Sequence, residues 1–318
     1  MSIGVLALVG LAPERLAALT AAGYAVHEGK KHANRIDAVR EAGNTVRAVL
    51  TNGRGGLSGD EMALLPNLEL VCTVGAGYEA VDLDAARARN IAVANCPDTN
   101  ASAVADSAMM LLMATTRQLL QADRFVRAGG WQDQWAVVTP TISGKRLGIL
   151  GMGTIGSKIA HRAARGFDME VGYHNRTAVS ALSYRYFDSL IALATWADFL
   201  VCAAPGGAAT RHLVNAEVLT ALGANGYLVN IGRGTVVDTA ALIDALQANR
   251  IAGAGLDVVE GEPSVPPKLP ELLQFDNVVV TPHYAGRAPE ARTAATALIL
   301  ANLSAYFAEK PLPSAVSS

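Results

Sequence analysis

Short apolar runs alternate with amphipathic stretches along most of this chain. In the first third, residues 3–9, 47–51, 69–74 and 91–94 read as buried strands. Between them, 13–22 opens on Pro13, 59–65 stops at Pro66, and 83–90 carries a helical pattern, so all three read as helices. Such alternation predicts a parallel sheet covered by helices. The Cys96-Pro97-Asp98-Thr99-Asn100 segment interrupts the series and marks a crossing between domains. A single long helix with an Ala/Met/Leu face is expected from Ala101 to about Ala128, ended by Gly129-Gly130-Trp131. Residues 131–144 have turn chemistry and two tryptophans, and read as an arm or loop.

A second alternating series follows, with strands at 146–150, 170–173, 199–203, 227–231, 253–257 and 278–281. The last helix, 289–307, follows a return at Gly286 and is expected to pack on the first domain. The pattern therefore predicts one domain inserted into another: 1–98 with 286–318, and 99–285. Residues 311–318 read as a loose tail.

Length and composition fit this division. The chain has 318 residues, enough for two domains, and is 51% hydrophobic, enough for large cores. A net charge of −2 argues against nucleic acid or an anionic membrane as the main partner. Residues 1–10 are apolar but short and lack a basic leader, so they read as a first strand rather than a signal peptide, and a cytoplasmic protein is expected. Cys72, Cys96 and Cys202 show no metal-ligand spacing and suit a reducing compartment, with no metal site expected.

The strand at 146–150 runs into Gly151-x-Gly153-x-x-Gly156, a helical pattern follows, and the next strand comes at the spacing of a βαβ unit. That context gives the glycines a physical reading as a dinucleotide loop. Gly151 permits the tight turn, Gly153 lets backbone approach a pyrophosphate at the helix N-terminus, and Gly156 lets helix and strand pack closely. Met152, Thr154 and Ile155 complete the loop. An NAD site ends its second strand in an acid that holds the ribose 2′-hydroxyl. Here that strand ends His174-Asn175-Arg176-Thr177, while Asp168 and Glu170 come too early. Arg176 can stack on adenine and pair with a 2′-phosphate, and Asn175 and Thr177 can donate to it. NADP(H) is therefore preferred, with NAD(H) as the other candidate.

Three ionisable residues each follow a strand of the second series: Arg233 after Y-L-V-N-I-G, Glu262 after G-L-D-V-V-E-G, and His283 after N-V-V-V-T-P. Ligands of open parallel sheets bind outside the carboxyl ends of strands, which is where these groups are expected to converge. The set suits reduction of a 2-oxo acid. Arg233 can fork to carboxylate and carbonyl oxygens, and His283 can protonate the developing alkoxide. A glutamate touching the imidazole would favour its charged form and fix the ring. Glu260, two residues from Glu262, is the rival for that place.

With these residues in view, the chain resembles the D-2-hydroxyacid dehydrogenase family, in its glyoxylate/hydroxypyruvate and hydroxyphenylpyruvate reductase branch, over essentially its full length. The resemblance rests on V-G-A-G-Y-E-A-V-D (74–82), G-K-R-L-G-I-L-G-M-G-T-I-G (144–156), N-I-G-R-G (230–234), G-A-G-L-D-V-V-E-G-E-P (253–263) and T-P-H (281–283). It implies two Rossmann-like parallel-sheet domains with a cleft between them, the nucleotide domain inserted into a flavodoxin-like substrate domain. It implies Arg233, Glu262 and His283 as the catalytic trio, choosing Glu262 over Glu260. It implies that backbone amides at Val74, Gly75, Ala76 and Gly77 meet the substrate carboxylate, with Arg54 in the loop 51–56 a further substrate contact. Ala204, Pro205, Thr210, Ile231, Gly232, Asp257, Ala285 and Gly286 are implied along the nucleotide, although Tyr284-Ala285-Gly286-Arg287 departs from the Ser/Thr-rich loop of many relatives. A homodimer formed through the start of the nucleotide domain is implied, with Trp135 reaching toward the partner's site.

The expected activity is NADPH-dependent reduction of glyoxylate or hydroxypyruvate to D-2-hydroxy acids. The alternatives are a bulkier 2-oxo acid, such as phenylpyruvate or 2-ketogluconate, and a nucleotide-sensing, corepressor-like binding protein on the same fold.

Overall fold

In the computed structural model, which describes residues 2–32, 34–132, 137–180 and 182–316, the apolar runs become two parallel sheets. The chain divides into two compact units, Met1–Asn100 with Arg287–Ser318, and Ala101–Gly286.

The first unit alternates β1 (Gly4–Ala7), α1 (Pro13–Ala21), β2 (Ala25–Glu28), α2 (Arg35–Ala42), β3 (Val46–Thr51), α3 (Gly59–Ala63), β4 (Leu70–Thr73), α4 (Leu83–Ala88) and β5 (Ala92–Ala94). Among the described residues its five strands lie in the order β2-β1-β3-β4-β5, the flavodoxin-like order. Local sequence sets the helix starts. Pro13 occupies the first turn of α1, and Ser58 and Glu61 close a reciprocal capping box on α3.

The second unit runs α5 (Ala101–Thr116), α6 (Leu119–Arg127), β6 (Arg146–Leu150), α7 (Thr154–Gly166), β7 (Glu170–His174), β8 (Arg185–Tyr186), α8 (Leu190–Trp196), β9 (Phe199–Cys202), α9 (Ala216–Leu222), β10 (Tyr227–Asn230), α10 (Thr239–Gln247), β11 (Gly253–Leu256), α11 (Leu269–Leu272) and β12 (Val278–Val280). Its described strands lie in the order β12-β11-β10-β9-β6-β7-β8. The order reverses between β6 and β9, the Rossmann switch point. Strands such as β9 are apolar throughout because helices cover both faces.

The last helix, α12 (Pro289–Phe307), belongs to the first unit, where Ala295, Ile299 and Leu303 join Val5, Leu50 and Leu70 in one core. Burying an Ile or Leu there contributes about 1.5–3 kcal/mol.

Two expectations need correction. The helix expected from Ala101 to about Ala128 is two helices, broken where Gln118 takes a left-handed conformation (φ +48°). The Thr116 hydroxyl donates back to the Leu112 carbonyl at 2.7 Å, and the Gln118 amide closes the last turn on Thr115. The expected loose tail is tied down through Val316. The Val316 amide donates to the Val93 carbonyl (2.8 Å), the Ser314 hydroxyl to the Asn95 carbonyl (2.7 Å), and Asn302 donates to Ser314. These bonds cover the outer edge of β5. Trp135 lies outside the described residues, and Trp131 is exposed.

Candidate active site

The glycine loop is built by steric necessity. After β6 the chain turns at Gly151 (φ +98°), where a side chain would meet the Ala204 amide at 2.7 Å. A Cβ at Gly156 would lie 2.2 Å from the Gly151 carbonyl oxygen, so this glycine lets α7 start against the turn. Gly153 differs: it caps α7, and a Cβ there would meet nothing within 4 Å. The loop therefore leaves open space above the first amides of a 13-residue helix, which is the setting a diphosphate requires. Met152 is buried, with Thr154 and Ile155 beside it in the first turn.

At the end of β7 the Asn175 side-chain oxygen accepts from the Met152 amide at 2.7 Å. Its amide nitrogen is then the end left for other partners. Arg176 and Thr177 follow on an exposed turn. Beyond β9, Ala204 is buried and the Thr210 hydroxyl donates to the Pro205 carbonyl at 2.8 Å, which fixes that loop.

The loop after β10 carries Arg233. Ile231 is buried, and Asn230, 1% exposed, braces the turn with both ends of its amide. Its oxygen accepts from Gly232 and its nitrogen donates to the Arg233 carbonyl, each at 3.1 Å. The half-buried Arg233 also donates to the Gly232 carbonyl at 2.9 Å.

His283 and Glu262 meet. His283 Nδ1 donates to Glu262 Oε2 at 2.5 Å, and Glu262 Oε1 accepts from the Val259 amide at 3.0 Å. With Nδ1 committed to a carboxylate, Nε2 is the nitrogen left to meet a ligand. Glu260, the sequence rival, turns elsewhere: its carboxylate faces His212 at 2.9 and 3.0 Å and Arg211 at 2.8 Å. His283 sits at φ +51°, and its amide donates to the Asp257 carbonyl.

Asp257 organises this turn from within the core. Only 2% exposed, its carboxylate accepts from the Thr281 hydroxyl (2.5 Å) and from the amides of Tyr284 and Ala285 (3.0 Å each). Gly286 ends the segment. The supporting bonds of Asn230 and Thr281 escaped sequence reading, although Asn230 stands inside the N-I-G-R-G motif.

The first unit holds the remaining candidates. Val74, Gly75, Ala76 and Gly77 form the loop after β4, with Gly75 at φ +140°. The Gly75 carbonyl accepts from the Cys96 amide, and the Ala76 carbonyl from the Asn95 side chain, both at 2.8 Å. Arg54 is exposed on the loop after β3, where the Asn52 side chain accepts from its amide at 3.0 Å.

Comparison with known proteins places this arrangement. The model of the D-isomer specific 2-hydroxyacid dehydrogenase NAD binding domain matches residues 109–285. A 2-ketogluconate reductase from Gluconobacter oxydans is 42% identical over 277 residues, spanning 87% of this chain and 88% of the relative. A glyoxylate/hydroxypyruvate reductase A from Arabidopsis thaliana is 41% identical over 269 residues, 85% of either chain. Among solved structures, an NADPH-dependent glyoxylate/hydroxypyruvate reductase from Sinorhizobium meliloti, in complex with NADP and malonate, superposes with a TM-score of 0.86 at 35% identity, covering 100% of this chain and 97% of that one. Fold, glycine loop and kinship agree: the chain is an oxidoreductase of the D-2-hydroxyacid dehydrogenase family.

Proposed function

We propose that the protein is an NADPH-preferring reductase of small 2-oxo acids, glyoxylate and hydroxypyruvate foremost, giving D-2-hydroxy acids. The observation that carries the reading is the 2.5 Å bond between His283 and Glu262, beside the braced Arg233 loop.

In this reading the loop 151–156 holds the diphosphate. Asn175, Arg176 and Thr177 hold the 2′-phosphate, and Ala204, Pro205, Thr210, Ile231, Gly232, Asp257, Ala285 and Gly286 line the rest of the nucleotide. The cofactor's contribution when bound is the hydride that reduces the keto carbon. Arg233 binds the substrate carboxylate and orients the keto group through its planar fork. His283 Nε2 donates the proton that neutralises the developing alkoxide. Glu262 holds the ring by Nδ1, which fixes its orientation and leaves Nε2 facing the substrate. The Val74–Gly77 amides and Arg54 are assigned to the substrate's carboxylate end.

The phosphate preference is supported by Asn175, whose donor end is set by the Met152 bond, and by the exposed Arg176, where an NAD site would carry an acid. A homodimer is proposed through α6 and the segment after it, where Leu119, Leu120, Val126 and Trp131 are exposed. A cytoplasmic setting is supported by three buried, unbridged cysteines. Among the described residues no helix is long and apolar enough to cross a membrane.

The kinship to a 2-ketogluconate reductase favours one second reading, a longer sugar acid as substrate. Initial rates of NADPH and NADH oxidation against glyoxylate, hydroxypyruvate, phenylpyruvate and 2-ketogluconate decide between them. The proposal expects a clear NADPH rate with the two small acids, abolished in Arg233→Ala. A faster NADH rate overturns the cofactor assignment, and turnover of 2-ketogluconate alone moves the substrate to the second reading.

A further inference from the structure

We propose that His212 and Glu260 form a brace that positions Arg233 and Glu262; this rests on the reductase reading above. Three loops lie side by side at the carboxyl ends of β9, β10 and β11. A Cβ at Gly206 would sit 3.0 Å from Arg233 Cγ, so the first loop rests on the stem of that arginine. A Cβ at Gly234 would lie 2.2 Å from the carbonyl carbon of Val259, so the middle loop rests on the third. The loop carrying Arg233 is thus packed between its two neighbours.

His212 and Glu260 join those neighbours across it. His212 Nε2 lies 2.9 and 3.0 Å from the two carboxylate oxygens of Glu260, and Arg211 Nη2 lies 2.8 Å from Oε1. On the other side His212 Nδ1 is 3.8 Å from Asp238 Oδ2. The charged groups facing the ring are therefore Glu260, Arg211 and Asp238. The His212 amide donates to the Thr235 carbonyl at 2.8 Å, and the Val214 amide to the Val236 carbonyl at 3.0 Å, so the first loop is also stitched to the middle one. His212 takes φ +52°, a conformation that costs a non-glycine residue free energy and is held by these contacts.

Glu260 shares its turn with Glu262. The Val259 amide, one residue before Glu260, donates to Glu262 Oε1 at 3.0 Å, and Glu262 Oε2 accepts from His283. Releasing Glu260 from His212 frees this turn, and the aim of Glu262 and His283 goes with it. It also removes the clasp over the Arg233 loop. Neither His212 nor Glu260 is assigned a contact with substrate or cofactor, so both are positioning residues.

The test compares Glu260→Ala, His212→Ala, the double variant and the milder Glu260→Gln and His212→Asn. It reads kcat and KM for glyoxylate with NADPH, the pH profile of kcat/KM, and hydrogen exchange of the cofactor-free protein. The brace predicts about tenfold lower kcat/KM in each alanine variant, carried mainly by kcat, with a displaced pH profile. The double variant loses no more than about twice what either single one does, because the two residues act as one unit. Glu260→Gln, which keeps an acceptor for the imidazole, recovers most of the loss. Exchange quickens in residues 230–238 and 257–263 and stays unchanged in β6 and β7. Wild-type kinetics and exchange in Glu260→Ala overturn the proposal, as do single losses that multiply in the double variant. If an alanine variant does not fold, Glu260→Gln and His212→Asn carry the same comparison. A wild-type protein that reduces none of the acids sinks the reductase reading, while the exchange data still decide the brace.

Discussion

Gly153 and Gly156 stand three residues apart in one motif, yet substitution by alanine should damage different properties. At Gly156 the new Cβ would lie 2.2 Å from the Gly151 oxygen and 3.3 Å from Ile149 Cγ2, where ordinary contact begins near 3.4 Å. The first turn of α7 must then move off β6 by roughly 1 Å, an overpacking that costs roughly 1–3 kcal/mol. For a unit of this size that lowers Tm by roughly 2–12 °C. At Gly153 the new Cβ meets nothing within 4 Å, and the residue already has an extended backbone with φ −88°. Its cost to the fold is the poorer helix cap of alanine, about 1 kcal/mol or less. In the proposed complex, however, that methyl group occupies the space of the diphosphate and weakens NADPH binding at least about tenfold, or about 1.4 kcal/mol. Fluorescence titration of NADPH and a thermal scan on both variants read the two effects separately. Gly153→Ala with wild-type affinity would refute the placement of the diphosphate, and Gly156→Ala with wild-type Tm would refute the packing argument.

Other outcomes follow from the same geometry. Glu262→Gln should lower kcat, because the carboxylate that accepts from His283 Nδ1 and holds the ring in place is gone; a wild-type kcat would contradict the pairing. Burial pushes all three thiols up, Cys202 to about 12, so thiol titration at pH 8 should find no fast-reacting group in the native protein and three after denaturation. Burial alone would raise the Asp198 carboxyl, but hydrogen bonds from Arg146 more than offset it and hold it below its ordinary range. A carboxyl lowered in the folded state contributes stability above its unfolded value, about 3.9. The Tm advantage of the wild type over Asp198→Asn should therefore be full at neutral pH and shrink as pH falls below about 4; an advantage that persists in acid would count against the Arg146 pair.

The parts of the fold legible in the sequence are those where one residue type answers one physical demand. Gly151 and Gly156 are required by a left-handed turn and a close approach, so they announce themselves. The central strands β9 and β10 are buried along their whole length and read as apolar runs, whereas β8, two residues with Arg185 exposed, has no such run and was not legible. The break between α5 and α6 carries no glycine or proline, so nothing local signalled it. β2 is a partly exposed edge strand, and α2 buries little beyond Ala38, Val39 and Ala42, so neither has a strong period. In the site, Arg233, Glu262 and His283 stood out as ionisable groups just past apolar strands. The bond between His212 and Glu260 joins residues 48 apart, and no local pattern encodes it. Glu260 and Glu262 were indistinguishable by spacing, and the direction each side chain takes separates them.

The division of the chain also bears on the order in which it can fold. Ala101–Gly286 is continuous and holds all the strands of its own sheet. The other unit is not: Ala295, Ile299 and Leu303 of α12 complete a core begun by Val5, and Val316 pairs with Val93. During synthesis from the N-terminus, the first hundred residues leave the ribosome with one sheet face covered only in part, by Leu19 of α1, and the edge of β5 open. Both wait for the whole inserted unit to be made. The continuous unit can finish first, and the discontinuous one closes last, through contacts of high sequence separation that form slowly. Exposed apolar surface during that interval makes Met1–Asn100 the segment with most need of chaperone protection.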